Sequence, residues 1–200
     1  MTFDFDDAHP GHDQLHRLEE LHTLRPDLRV TLFAIPGRCT PEWCESLPDW
    51  VELAVHGWNH HSVYECADWT RSDLARVLDS NIVRDYFTQG FKAPGWQISD
   101  ACYEELAERN WWVADQHLED GRRPPMRVYF YEDGGWHGHI QNVCGNGIEE
   151  TWGELVKAVE GAEDFRFCSE AARFYPDSDD SGAGTLPFGV PGLSYGPDVS

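Results

Sequence analysis

The apolar residues of this chain fall into short runs with two different periods. Thr2–Asp6, Leu28–Ile35, Val51–Val55, Phe91–Ala93, Trp111–Ala114 and Met126–Tyr131 are short, rich in β-branched or aromatic residues, and read as strands. Pro36-Gly37 closes the second of them. Between them the spacing becomes helical. His12–Leu24 carries Leu15, Leu18 and Leu21 on one face. A short helix follows Thr40-Pro41, because proline suits the first helical position. Thr70–Gln89 predicts the longest helix, with Thr70 as cap, Asp73 in the first turn, an apolar face of Leu74, Val77, Leu78, Ile82 and Tyr86, and Gly90 as its stop. Ser99–Asn110 is a second capped helix. Thr151-Trp-Gly-Glu154 has the capping-box pattern and opens a helix to about residue 160, and Phe165–Cys168 reads as a last strand.

Strands alternating with helices imply an α/β domain with a mainly parallel sheet. Seven strands are predicted, enough to close a barrel or to stay open; periodicity does not choose. The domain spans residues 1–173. From 174 to 200 the chain turns to Asp, Ser, Gly and Pro and reads as an extended or disordered tail.

Composition changes this picture in two ways. Thirty-six acidic residues face 15 Lys and Arg, a formal net charge of −21. Such a surface repels phosphate backbones and anionic lipid, so nucleic acid and membrane are excluded as partners. A metal cation or a neutral substrate suits it. Met1 is followed by Thr-Phe-Asp-Phe-Asp-Asp, with no basic start and no apolar run, which predicts a cytoplasmic location. The six cysteines then read as reduced thiols, and none forms a CxxC pair. Nothing in the sequence fixes an oligomeric state.

The polar groups with chemical potential gather at strand ends. Asp6 and Asp7 end the first strand, His56 and His60 follow the third, Lys92 and Trp96 the fourth, Asp115 the fifth, and His137 and His139 come after the sixth. In α/β folds that is the face where active sites form. Two imidazoles four apart point the same way if the chain turns helical there. Adjacent acids at a strand end point to opposite sides, one toward a metal and one toward substrate water. Asp4 lies on the side of Asp6, and three acids in so short a strand are costly to bury without a cation.

These segments, taken in order, resemble a known family. Phe5-Asp6-Asp7-Ala8 resembles the Phe-Asp-Asp-Gly motif of polysaccharide deacetylases, the NodB-like or family 4 carbohydrate esterases. His56-x-x-x-His60 resembles their His-(Ser/Thr)-x-x-His motif, and Phe91-Lys-Ala-Pro-Gly-Trp96 the third motif. Trp112-Val-Ala-Asp115 and Gly138-His139 fall where the fourth and last motifs stand. The resemblance implies a distorted (β/α) barrel of the NodB-homology type that removes acetyl groups from an N- or O-acetylated carbohydrate. It implies one divalent metal, zinc first and cobalt, nickel or manganese as alternatives, held by Asp7, His56 and His60. By the same resemblance Asp6 is the general base, Lys92 its tether, His139 the general acid and Asp115 the acid's partner. His137 is the alternative acid or a substrate contact. Trp58, Trp96 and Trp136, three of nine tryptophans, lie in the motif loops and are expected to form a sugar-binding wall. Two departures stand out: Lys92 replaces the usual Arg and cannot offer a bidentate fork, and Gly57 replaces a hydroxyl residue, removing a supporting hydrogen bond. A small non-sugar amide as substrate, or a non-catalytic carbohydrate-binding relative, are the alternative readings.

Overall fold

The structure, a computed structural model, describes residues 1–115, 123–130, 135–141 and 147–175. Among the described residues eight strands form one sheet: β1 (Phe3–Ala8), β2 (Val30–Ala34), β3 (Val51–His56), β4 (Gly90–Lys92), β5 (Trp112–Asp115), β6 (Met126–Phe130), β7 (Trp136–His139) and β8 (Arg173–Tyr175). Their order across the sheet is β7-β1-β2-β3-β4-β5-β6-β8. All neighbours are parallel except β6 and β8. The helices are α1 (Leu15–Leu24), α2 (Pro41–Ser46), α3 (Arg71–Leu78), α4 (Asn81–Tyr86), α5 (Asp100–Glu108), α6 (Trp152–Gly161) and α7 (Cys168–Ala171).

The sheet curls strongly. Five inter-strand steps separate β1 from β6, about 24 Å if the sheet were flat. Yet the Thr2 hydroxyl, at the head of β1, lies 2.7 Å from the Tyr129 hydroxyl of β6. Among the described residues the edge strands β7 and β8 do not pair, so the curl is not a closed ring. Alternation sorts the side chains by face. Phe3, Phe5, Val30 and Leu32 join a core that also holds Leu18 and Leu21 of α1 and Leu155 and Val159 of α6. Val55, Phe91, Val113 and Val128 join a second core with Leu74 and Val77 of α3 and Leu106 of α5. The concave side is sparsely apolar, with Phe33, Ala54, Trp112, Ala114 and Tyr129. That leaves it room for polar groups.

Several predicted elements shift. The expected seven strands become eight. Trp136–His139 is a strand although Trp-His-Gly-His has no apolar alternation; it is held by pairing along β1 from Phe3 to Asp6. Phe165–Cys168 is not a strand: Arg166 makes an isolated bridge to Thr2, and Cys168 opens α7 with its N–H donating to the Thr31 hydroxyl. The last strand among the described residues is Arg173–Tyr175; from 176 on, the expected tail lies outside the described residues. The long helix over 70–89 splits into α3 and α4. Ser80 takes extended angles, and its hydroxyl donates to the Val77 carbonyl at 2.6 Å, competing with the helical ladder. Thr70 and Asp73 do form the capping box that opens α3. At Thr151 the capping box does not form, because the hydroxyl donates back to the Gly147 carbonyl at 3.0 Å.

Candidate metal centre

The strands β1, β3 and β4 end together and deliver polar side chains to the concave face. At the end of β1 the expected alternation of Asp6 and Asp7 fails. The register with β2 slips between Asp6 and Ala8, and Asp7 takes φ +68°. A bulge of this kind re-aims its side chain, and Asp tolerates the left-handed region better than most residues. Both carboxylates therefore face His56, whose Nε2 lies 3.5 Å from Asp7 Oδ1 and 3.8 Å from Asp6 Oδ2.

His56 is the last residue of β3 and is buried. Its Nδ1 donates to the Lys92 carbonyl at 3.0 Å, which leaves the Nε2 lone pair directed at the acids. Burial pushes the imidazole pKa down; Lys92 and His60 add to this, and Asp6 and Asp7 oppose it. The shift favours the neutral ring, the form in which an imidazole binds a metal. His60 joins from a turn, not from a helix, so helical spacing is not what brings the two imidazoles together. Gly57 at φ +66° and His60 at φ +51° reverse the chain, and the two rings meet with centroids 5.3 Å apart. His60 Nε2 lies 3.2 Å from Asp7 Oδ1.

Whether these three fit a cation can be tested on Asp7. Its Oδ1 is buried and has no hydrogen-bond donor, because neither imidazole contact has hydrogen-bond geometry. Ligand atoms bonded at about 2.0–2.1 Å around a tetrahedral ion lie about 3.3–3.4 Å from one another. The observed 3.2 and 3.5 Å match that edge. One carboxylate and two neutral imidazoles are donors that suit a zinc-like divalent ion.

A second trio, Asp4, Asp6 and His137, lies beside the first. Lys92 fills it. Its Nζ donates to Asp6 Oδ1 at 2.7 Å and lies 3.5 Å from Asp4 Oδ1 and 3.1 Å from His137 Nδ1. The ammonium also sits 4.2 Å from the Trp96 ring centroid and 4.8 Å from that of Phe33. Burial alone would raise the Asp6 pKa, but Lys92, with His56, His137 and His139, outweighs it and holds the carboxyl well below the usual range. His137 is turned inward, with Nδ1 2.7 Å from Asp4 Oδ1. His139 pairs in register with Asp6, brings Nε2 to 4.0 Å from Asp7 Oδ2, and is more exposed than His137, at 22% against 12%.

The remaining expected site residues are Asp115 and the three indoles. Asp115 is buried at the end of β5, where it accepts from Tyr103 Oη at 2.7 Å and lies 3.3 Å from Arg123 Nη1. The three indoles go three ways instead of forming a wall. Trp96 stays at the site, edge-on to His137 with centroids 5.7 Å apart. Trp136 points to the other face of β7 and packs on the outer core, because strand alternation separates it from both histidines. Trp58 packs on the second core and lines an outer groove with Trp69, Asp73 and Arg76. Two residues escaped the sequence reading of the site. Asp4 could be placed on the side of Asp6 but not given its role beside Lys92. Glu65, which holds the His56–His60 turn, sits in a polar loop with no local signal to mark it.

No family model matches the chain, and no curated protein matches it. Solved structures do. A family 4 acetyl xylan esterase from Clostridium thermocellum, in complex with a cobalt ion, is 13% identical with a TM-score of 0.59, over 85% of this chain and 88% of its own. The Xyl-CE4 domain of a multidomain xylanase from the hindgut metagenome of Trinervitermes trinervoides is 14% identical with a TM-score of 0.56, over 85% and 87%. A peptidoglycan N-acetylglucosamine deacetylase is 12% identical with a TM-score of 0.53, over 85% and 86%. At these identities the likeness is one of fold.

Proposed function

From the fold that this chain shares with family 4 carbohydrate esterases and polysaccharide deacetylases, we propose that it is a metal-dependent hydrolase that removes acetyl groups from an acetylated carbohydrate. The observation that carries the reading is the donorless Asp7 Oδ1 between two imidazole nitrogens, next to a second carboxylate kept ionised by a buried lysine. Asp7, His56 and His60 would hold the divalent ion, zinc first, with cobalt, nickel or manganese as alternatives. Such an ion polarises a carbonyl and lowers the pKa of water beside it.

The protein's own groups do the rest. Asp6 is ionised, faces the same space as Asp7 and takes the proton of the attacking water. Lys92 fixes its orientation through a single short hydrogen bond, with the point charge of an ammonium where a guanidinium would make two. His139, at the open side of the pair, returns a proton to the leaving amine or alcohol, and Asp115 is assigned to fix its charge state. Trp96 offers a flat apolar face to the sugar ring beside His137.

Two measurements on one preparation test this. Metal content should be about one ion per chain in the wild type and none in His56→Ala. Acetate release from an acetylated xylan or chitin oligomer should fall about 10²–10⁴-fold in Asp6→Asn at unchanged metal content. Equal release by wild type and Asp6→Asn would remove the base assignment, and no release by a metal-loaded wild type would remove the deacetylase reading.

A further inference from the structure

The turn that carries His60 is built around an acid from elsewhere. After β3 the chain reverses through left-handed Gly57 and left-handed His60. This aims three consecutive backbone N–H groups, those of Trp58, Asn59 and His60, at one point, a concavity of the kind that holds anions. The Glu65 carboxylate occupies it. Oε2 accepts from Trp58 N at 2.9 Å and from His60 N at 3.1 Å, and Oε1 accepts from Asn59 N at 3.0 Å. All three bonds are charge-assisted. A side chain at 57 would collide with Glu65 Oε2 and crowd Pro94. Gly57 therefore serves twice: it supplies the turn, and it leaves the space the carboxylate enters. The hydroxyl residue that the family resemblance places at 57 is missing, and the acceptor that anchors the turn comes from Glu65.

We propose that Glu65 is a positioning residue for the metal centre. By bonding the His60 amide and its two predecessors, it holds the His60 imidazole in its ligating orientation and sets the affinity for the ion. This rests on the reading of Asp7, His56 and His60 as ligands. Glu65 is not one of the three proposed ligands, and its bonds go to the amides of residues 58–60, so its effect passes through that backbone.

Glu65→Gln tests it. The side chain keeps its shape, but one of its two ends becomes a donor, so at least one of the three amides loses its acceptor. Three readouts are taken: Zn²⁺ affinity by chelator competition, the visible spectrum of the Co²⁺-loaded protein, and hydrogen exchange of the amides of residues 58–60 without metal. We expect affinity to fall about 10–100-fold, the Co²⁺ bands to shift, and those amides to exchange faster, while the denaturation midpoint of the metal-free protein barely moves. Gly57→Ala should weaken Zn²⁺ binding through the same contact, and the double variant should be no weaker than the poorer single one. Glu65→Gln with wild-type affinity and spectrum would overturn the proposal, even if its amides exchanged faster, because the role would then be structural alone. A wild type that binds no ion would overturn the ligand assignment and this proposal together.

Discussion

The concave face holds two adjacent trios drawn from the same residue types, and they have opposite needs. Asp4, Asp6 and His137 surround Lys92, whose ammonium lies 2.7 Å from Asp6 and is 1% exposed. That trio carries its own cation. Asp7, His56 and His60 have the same kind of donors at similar spacing, but among the described residues no side-chain cation stands between them, and Asp7 Oδ1 is left without a donor. Donor type alone would mark both as metal sites. The difference is the counter-charge: one trio has a lysine ammonium at its centre, and in the other Asp7 Oδ1 has no donor. Buried acids are costly unless paired, so the unfilled trio is the one we propose as the metal site.

The comparison can be broken most sharply at Asp7. Asp7→Asn keeps the shape and removes the charge, so stoichiometric Zn²⁺ should fall from about one per chain to none by elemental analysis. Full metal retention would mean that the ion is not held here. The reverse change acts on the other trio. Lys92→Met leaves Asp4 and Asp6 buried without their cation, and urea denaturation should show a loss of about 3–5 kcal/mol in metal-free protein. Zn²⁺ should then recover more stability in this variant than in the wild type, since a second trio has been emptied. Equal recovery in both would show that the two trios are not alike.

The smallest effect is the pH dependence of the metal-free protein. His56 has its pKa pushed below 6.5, chiefly by burial. The unfolded chain therefore takes up this proton at higher pH than the folded one. The contribution is fully present above about pH 6.5 and is lost as pH falls toward the folded value. Wild type should lose stability on acidification from pH 7 to 5, and His56→Gln should lose less. Parallel curves would show that His56 carries no such burden.

The two trios also differ in how they were legible. The proposed ligands Asp7, His56 and His60 could be picked out from spacing and from the likeness of ordered motifs, because they sit at or just after the ends of strands whose apolar runs are plain. Asp4 could be placed on the side of Asp6, yet nothing local pairs it with Lys92, 88 positions away. Glu65 carries no pattern at all. Trp136 misled, because histidines stand one and three positions after it in sequence, while strand alternation sends it to the other face.

The sequence by itself determined the alternating strands and helices, the parallel sheet they form, and the strand ends where the reactive side chains lie, since these follow from hydrophobic period and local capping. Only the tertiary structure decided which of those side chains share a space. The curl brings β1 against β6 across the concave face, the bulge at Asp7 turns it toward His56, and the left-handed residues around Glu65 aim His60 at the same point. Such placements depend on backbone reversals and on contacts between distant strands, and neither leaves a period in the sequence.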